Sequence, residues 1–274
     1  MKLTFEKMSG AGNDFVVIDN RNGRIVDGAD LARRICDRHW GVGADGLLML
    51  EQSPTAAYRM MYYNADGSFG GMCGNGGRCI AAYAVRAGIA PPRHEFDALD
   101  HLYGAEVKTD SVRLTMKDPT KIKVGLVLPV AGMRLEVAFI DTGSPHAVVF
   151  VRKTRKGVDG IDVQGLGSAI RTHRRFKPEG TNVNFVEIID TNTLKIRTYE
   201  RGVETETLAC GTGAIASAII ASRIKGMRAP IAVFPRSQRR LIVDFEVEDE
   251  SGRVSHVALE GPAETVFTGE FEIP

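Results

Sequence analysis

The sequence predicts an α+β protein with two pseudo-symmetric halves, each a mixed β-sheet wrapped around a central helix. Three observations support this prediction. The 274-residue chain is long enough for two domains of ordinary size. Two Cys-Gly-x-Gly motifs, at Cys73 and Cys210, lie half the chain length apart. Strand-like segments outnumber helical ones along the chain.

The first half opens with a glycine turn and a short strand over residues 12–17. A helical pattern follows, with Leu31 and Ile35 four residues apart on one face. A second strand is predicted at Leu47–Leu50, and after the glycine-rich motif an Ala-rich helix runs over Cys79–Ala87. This order gives one complete unit of sheet and helix.

The second half repeats the order of the first. A strand over residues 143–149 precedes a helix over Val163–His173, and a strand at Asn182–Ile188 follows. The motif at Cys210 then leads into an Ala/Ile-rich helix. Four elements in matching order indicate duplication of a whole domain.

Polar residues mark the boundary between the halves at Lys117–Lys123. We therefore expect one domain of residues 1–119 with 262–274, which carries Cys73, and one of residues 120–261, which carries Cys210. Alternating apolar residues predict further strands at Glu106–Met116, Arg134–Ile140, Arg240–Glu246 and Arg253–Leu259.

Composition points to a small-molecule substrate rather than a polyanionic partner. The formal net charge is +1, so the chain has no global field to attract nucleic acid or a membrane surface. The basic runs Arg152–Lys156 and Arg236–Arg240 are interpreted as solvated faces. A homodimer is compatible with this composition.

The cysteines and the first residues predict a cytoplasmic protein. Charged residues interrupt the first twenty positions, which breaks any signal-peptide core. The cysteines are Cys36, Cys73, Cys79 and Cys210, too few and too dispersed for a disulfide scaffold, so we expect free thiols.

The two Cys-Gly-x-Gly motifs suit acid–base chemistry beside a bound anion. At a helix start the first N–H groups lack internal partners, so an anion binds there and a thiolate is stabilised. If the halves face each other, both thiols meet in the cleft between them, one on each side of a substrate α-carbon. Cys73 and Cys210 would then remove and deliver the α-proton on opposite faces, which inverts the stereocentre.

The residues around both cysteines resemble the two signatures of the diaminopimelate epimerase family. The first runs from Met72 to Cys79 and the second from Glu200 to Gly213, and the resemblance extends from Gly10 to Gly269. It implies an isomerase that interconverts LL- and meso-2,6-diaminopimelate in lysine and peptidoglycan-precursor biosynthesis. It also implies catalysis by the two signature cysteines without pyridoxal phosphate, another cofactor or a metal.

The same resemblance assigns roles to further residues. His146 and Glu200 would tune the thiols. The reacting α-carboxylate would bind at Gly74, Asn75, Gly211 and Thr212, and the remaining carboxylate and amino groups would contact Asn13, Asn64, Asn182, Glu200 and Arg201. The chain has Ser144 where many family members have Asn, and Gly46 where many have Gln. Both positions bear on recognition of the distal end of the substrate: Ser144 can still donate and accept a hydrogen bond, whereas Gly46 has no side chain to offer.

Other functions stay open at the level of sequence. Proline racemase is a relative with the same two-thiol chemistry, but its first cysteine is typically followed by Gly-His rather than by Gly74-Asn75. A structural zinc site would use Cys36, His39, Cys73 and Cys79, whose spacing is poor for zinc. A redox switch would pair two acidic thiols but leave the surrounding asparagines without a task.

Overall fold

The chain forms two compact units, Met1–Thr115 with Glu260–Pro274 and Met116–Leu259. The computed structural model describes residues 2–151, 155–248 and 251–273. Residues 152–154 of the basic run Arg152–Lys156 lie outside the described residues. Within the described ranges, no helix is both long and apolar enough to cross a membrane.

The first unit contains strands on both sides of its helices along the chain. Its elements are β1 (Lys2–Gly10), β2 (Asn13–Asp19), α1 (Gly28–Ile35), β3 (Gly46–Glu51), β4 (Arg59–Asn64), α2 (Gly74–Arg86), β5 (Arg93–Ala98), β6 (His101–Val107) and β7 (Val112–Thr115), together with the last strand of the chain, numbered β17 (Glu264–Glu272).

The second unit repeats this arrangement. Its elements are β8 (Thr120–Val130), β9 (Met133–Asp141), β10 (Pro145–Phe150), α3 (Val163–Arg171), β11 (Asn182–Ile188), β12 (Thr193–Glu200), β13 (Thr205–Thr207), α4 (Gly211–Lys225), β14 (Ile231–Phe234), β15 (Leu241–Val247) and β16 (Val254–Gly261), whose last two residues belong to the first unit. Short 3-10 turns lie at Gly157–Gly160 and Arg174–Phe176.

Strand pairing is the same in both units. In the first, β2 pairs parallel with β3, β3 antiparallel with β4, and β4 parallel with β5. In the second, β10 pairs parallel with β11, β11 antiparallel with β12, and β12 parallel with β14. The predicted α+β class with mixed sheets and two repeated halves is therefore confirmed.

The matched pairing fixes which residues correspond between the units. Val17 lies opposite Leu48 on β2 and β3, as Val148 lies opposite Asn184 on β10 and β11. Counting two residues back along β2 and β10, Phe15 corresponds to His146. Two of these equivalent core positions are apolar in the first unit and polar in the second: Phe15 corresponds to His146, and Leu48 to Asn184.

The central helix of each unit is apolar on nearly all sides. Gly211 and the residues from Gly213 to Ala221 of α4 are buried, and most of α2 is buried in the same way. A helix without a polar face has to be covered all round, which explains why strands surround it. Gly226 ends α4 in the left-handed conformation, at a φ of 68°.

The other face of each sheet carries an amphipathic helix. Leu31 and Ile35 of α1 pack on the first unit's outer cluster, and Ile170 of α3 packs on the second unit's cluster. Asp27 and Asp162 cap these two helices by accepting a backbone N–H three residues on. Leu31 and Ile35 share a buried face of α1 as predicted, and the predicted helix Val163–His173 is confirmed within two residues at its end.

Several boundaries differ from the sequence prediction. Helix α2 begins at Gly74, not at Cys79, because the glycines of the motif adopt helical geometry inside a buried environment. The polar segment Lys117–Lys123 already contains the start of β8. Several strands lie outside the predicted ones: β1, β4, β5, β8, β12, β13, β14 and β17. Of these, β17 is exposed along most of its length and therefore lacks an apolar signal.

Truncating the central helix should cost far more stability than truncating an exposed side chain of the same type. Ile220 in α4 is fully buried, whereas Ile189 is 50% exposed. We expect Ile220→Ala to lower the free energy of unfolding by about 2–4 kcal/mol, and Ile189→Ala by less than about 0.5 kcal/mol. Chemical denaturation measures both, and equal losses would contradict the central position of α4.

Candidate active site

Each central helix begins directly after a cysteine. Cys73 precedes α2 and Cys210 precedes α4, and both backbones are extended there, with φ of −118° and −122°. Within the described residues, neither cysteine side chain accepts a capping hydrogen bond from its helix. The N–H groups of a first helical turn lack intrahelical partners, so each helix start suits an anion.

In the first unit, three of the predicted site residues meet at the thiol. The Cys73 sulfur donates to Asn13 Oδ1 over 3.7 Å, and Asn75 Nδ2 donates to the same oxygen over 3.3 Å. Asn13 Nδ2 donates to Asp45 Oδ2 at 2.7 Å, which fixes the orientation of the amide. The carbonyl end of Asn13 therefore faces the thiol.

Asp45 belongs to a cluster of four charged residues, in which Arg38, Asp14 and Lys7 hold it in place. Arg38 Nη2 donates to Asp45 Oδ1 at 2.8 Å and to Asp14 Oδ1 at 3.0 Å, and Lys7 Nζ lies 2.7 Å from Asp14 Oδ2. Burial alone would raise the pKa of Asp14, but the hydrogen bonds from Arg38 and Lys7 outweigh it and lower the pKa. Asp14 stays ionised and anchors the cluster behind Asn13.

Arg78 supports the start of α2 from inside. Its fully buried guanidinium donates to the Gly74 carbonyl at 3.3 Å, to Asn75 Oδ1 at 2.9 Å and to the Pro262 carbonyl at 3.2 Å. Burial lowers its pKa, while the neighbouring thiols Cys79 and Cys73 act in the opposite direction. Arg78 thus orients Asn75, whose Nδ2 points to Asn13.

Asn64 has a different local environment from the other predicted residues of the first unit. Its Oδ1 accepts from the Tyr62 hydroxyl at 2.7 Å, and its Nδ2 donates to Ser68 Oγ at 3.0 Å. These bonds close the turn after β4. The Asn64 side chain is therefore held by this turn, while the backbone of the next residue, Ala65, donates to the Asp45 carbonyl.

In the second unit, a line of polar side chains leads to the other thiol. The Cys210 sulfur lies 3.5 Å from Thr212 Oγ1. Ser144 Oγ donates to Thr212 Oγ1 at 3.4 Å and lies 2.9 Å from His146 Nε2. The predicted residues Cys210, Thr212 and His146 are therefore connected through Ser144.

Asn182 forms hydrogen bonds to the start of β10 and to the segment after β12, next to these polar side chains. Its Nδ2 donates to the Pro145 carbonyl at 3.0 Å and more weakly to Ser144 Oγ at 3.5 Å, and its Oδ1 accepts the backbone N–H of Arg201 at 2.8 Å. The predicted residues Glu200 and Arg201 lie at the end of β12, and Gly211 is the first residue of α4.

His146 is fully buried. Burial lowers its pKa to about 3, and the positive charge of Arg201 acts in the same direction. The imidazole is therefore neutral at physiological pH, so it can donate from one ring nitrogen and accept at the other.

Sequence reasoning missed Asp45, Arg78 and Asn184 as site residues. Arg78 lies inside the first signature, so the motif itself was a signal for it. Asn184 interrupts a run of apolar residues in β11, and a polar residue at a buried strand position is a signal of function. No motif or periodicity in the sequence marks Asp45 as a site residue.

The two other cysteines have the properties of core residues. Cys36 and Cys79 are buried, and burial raises the pKa of each thiol to about 12. Among the described residues, no group of three or more His, Cys, Asp or Glu side chains is placed to hold a metal ion. The four residues of the zinc hypothesis are not brought together in this part of the chain.

Comparison with known proteins identifies the family. The model of the family described as diaminopimelate epimerase matches residues 5–124 and 138–265. The chain belongs to the diaminopimelate epimerase family. The diaminopimelate epimerase of Chlorobaculum tepidum is 46% identical over 96% of this chain and 98% of its own, and that of Aquifex aeolicus is 41% identical over 97% of each. Epimerases are isomerases, which gives the enzyme class.

Solved structures share the fold with this member of the diaminopimelate epimerase family. A PhzF-family phenazine biosynthesis protein from Bacillus anthracis superposes with a TM-score of 0.77 at 13% identity, covering all of both chains. A probable proline racemase from Agrobacterium radiobacter gives a TM-score of 0.72 at 16% identity, covering 99% of this chain and 93% of that one. At such identities the likeness concerns the fold alone.

The neutral, buried His146 should make the protein sensitive to acid. The unfolded chain binds a proton on this histidine below about pH 6.5, whereas the folded chain does not until a pH of about 3. Stability should therefore fall as the pH is lowered through this window, by up to about 1.4 kcal/mol per pH unit. His146→Phe, which introduces the residue found at the corresponding position Phe15, should reduce that slope. Urea unfolding at several pH values measures it, and identical slopes would contradict the assignment.

Proposed function

We propose that the protein interconverts LL- and meso-2,6-diaminopimelate by two-base proton transfer at one α-carbon. The observation that carries this proposal is the duplicated placement of a cysteine at the start of each buried central helix, Cys73 before α2 and Cys210 before α4. Membership in the diaminopimelate epimerase family supports the substrate.

In the proposed reaction each unit supplies one thiol to the same α-carbon. One sulfur, as thiolate, takes the α-proton and becomes a thiol, and the electron pair stays on carbon. The opposite sulfur, as thiol, gives its proton to the other face and becomes a thiolate. One C–H bond breaks and one forms, so no oxidant or reductant is needed. The location of this site in a cleft between the halves stays a prediction.

The helix starts would stabilise the charge that develops next to the α-carbon. The substrate α-carboxylate would accept backbone N–H groups at Gly74-Asn75 and Gly211-Thr212, where the helix dipoles favour an anion. A carboxylate held in this way spreads the electron pair left by the proton. We propose that this, with the two thiols, replaces the electron sink of a pyridoxal cofactor.

The distal end of the substrate would be recognised by polar groups outside this central region. The side chain of Arg201 is 31% exposed and can pair with a carboxylate. Asn64, Asn182 and Glu200 are the other candidates that the family resemblance assigns. Asn64 and Asn182 already form hydrogen bonds within their units. We therefore expect each amide to bind the substrate through the donor hydrogens and oxygen lone pairs that those bonds leave over.

Removing either reactive thiol should abolish inversion. We expect Cys73→Ser and Cys210→Ser each to lower turnover of LL-diaminopimelate by about a hundred- to ten-thousandfold, because a hydroxyl is a far weaker acid than a thiol. Cys79→Ser, at a buried thiol outside the helix starts, is the control and should lower stability more than turnover. Optical rotation follows the reaction, and full activity of Cys210→Ala would contradict the two-base assignment.

Exchange of the substrate α-hydrogen with solvent distinguishes a mechanism with two bases from one with a single base. In deuterium oxide, product formed early from LL-diaminopimelate should carry deuterium at the inverted α-carbon, because its hydrogen comes from the second, solvent-exchanged sulfur. Recovered substrate should remain largely unlabelled at that stage. Mass spectrometry and proton NMR measure both. Product that retains its original α-hydrogen would contradict separate acid and base residues, and inversion of proline in place of diaminopimelate would contradict the substrate.

A further inference from the structure

The two units differ in one buried layer next to the central helix. In the first unit this layer consists of Phe15, Leu48 and Tyr62, of which Phe15 and Tyr62 meet edge to face with ring centroids 5.9 Å apart. The corresponding residues of the second unit are His146, Asn184 and Thr198, on paired strands in the same register. Since the first unit folds with apolar or aromatic side chains here, the fold does not require the polar set.

Glycine contacts confirm the correspondence at the helix start. A Cβ placed on Gly76, three residues after Cys73, would lie 3.1 Å from Leu48. A Cβ placed on Gly213, three residues after Cys210, would overlap Asn184 Oδ1. Asn184 therefore lies against the start of α4 as Leu48 lies against the start of α2.

The orientation of the Asn184 amide is fixed by two neighbours. Thr198 Oγ1 donates to Asn184 Oδ1 at 3.0 Å, and Asn184 Nδ2 donates to the Ala147 carbonyl at 3.2 Å. A carbonyl oxygen accepts and never donates, so the nitrogen must be on that side. The second hydrogen of the same nitrogen points to His146 Nδ1 at 3.1 Å.

This contact determines the tautomer of His146. A ring nitrogen that accepts a hydrogen bond carries no proton, so the proton of the neutral imidazole resides on Nε2. Nε2 then donates to Ser144 Oγ, 2.9 Å away. The Ser144 hydroxyl, having accepted, donates to Thr212 Oγ1 at 3.4 Å, which leaves the Thr212 hydroxyl to donate to the sulfur 3.5 Å away.

We propose that Asn184 is a positioning residue for the thiol of Cys210. It holds His146 as the Nε2–H tautomer, so that every hydrogen bond that follows points toward the sulfur. We call this series the donor chain; it consists of His146, Ser144, Thr212 and Cys210. Donors directed at sulfur stabilise the thiolate over the thiol. The catalytic meaning of the donor chain rests on the proposed function, but the donor chain itself can be tested without substrate.

The charged groups near His146 are compatible with a neutral imidazole that donates from Nε2. The titratable and charged groups at this end of the unit include His146 on β10, Cys210 before α4, and Glu200 and Arg201 at the end of β12. Asp141 at the end of β9 lies opposite Pro145, and Glu179 and Glu204 lie beside Arg201 and Gly202. The Arg201 charge opposes protonation of His146, which is already neutral through burial. The donor chain therefore transmits polarity through hydrogen bonds and does not need an imidazolium ion.

The first test measures the reactivity of the sulfur in the full-length protein. Alkylation of Cys210 by iodoacetamide is followed by peptide mass spectrometry from about pH 5 to about pH 10, and Cys73 in the same molecules is the internal reference. The variants are Asn184→Leu, which introduces the residue of the first unit, and Ser144→Ala, which interrupts the donor chain. Ser217→Ala is the matched control, since it removes a buried hydroxyl that donates to the Gly213 carbonyl within α4.

We expect Asn184→Leu and Ser144→Ala each to slow Cys210 alkylation at neutral pH by roughly three- to tenfold and to shift its pH midpoint upward. Cys73 and the Ser217→Ala control should not change. If Asn184 acts through the donor chain, adding Asn184→Leu to Ser144→Ala should have no further effect. A purely structural role predicts additive losses or equal changes at both cysteines, and either result would overturn the proposal.

A second measurement observes the tautomer itself. In ¹⁵N-labelled protein the two ring nitrogens of His146, assigned by comparison with His146→Phe, should show a protonated Nε2 and an unprotonated Nδ1. A protonated Nδ1 would overturn the proposal. Epimerisation of diaminopimelate is assayed in parallel. An inactive wild type with an intact donor chain would refute the proposed function. An active enzyme in which Asn184→Leu leaves Cys210 reactivity unchanged would refute the donor chain.

Discussion

The placement of a helix start directly after Cys73 and after Cys210 depends on the burial of two apolar helices. Helix α4 has no polar face over most of its length, so strands must cover it on all sides, and the same holds for most of α2. A helix held in this way cannot tilt or fray at its first turn without exposing apolar surface. The positions of Cys73 and Cys210 are thereby fixed by packing many residues away from either sulfur.

Both units have the same arrangement of strands around a central helix, but their two cysteines have different neighbours. The sulfur of Cys73 meets the carbonyl of Asn13, which a charged cluster orients. The sulfur of Cys210 meets a hydroxyl at the end of a buried polar line. An enzyme that inverts a stereocentre needs one acid and one base at a time, and unequal surroundings are a physical means of biasing which sulfur holds the proton.

Much of the fold could be predicted from sequence because the same order of strands and helices occurs in both halves, so each half supports the assignment made in the other. The helix from Val163 was placed well because its apolar periodicity reflects burial on one face. The strand at Asn182–Ile188 was placed well because its apolar residues follow a glycine turn, although it is buried on both faces. The glycine-rich context of Cys73 and Cys210 predicted that a helix follows each of them, as the structure shows. Asn184 and Asp45 were not predicted as site residues, because their importance lies in contacts between strands distant along the chain, which a local pattern does not encode.

The last strand of the chain belongs to the first unit, and this has a consequence for synthesis on the ribosome. β17 pairs along the length of β1, and the Pro262 carbonyl accepts from Arg78 beneath the first helix start. During translation the second unit is complete before these residues emerge, while β1, already able to pair with β2, still lacks its second neighbour. The surroundings of Cys73 are therefore completed last, so a nascent chain can form the environment of Cys210 before that of Cys73.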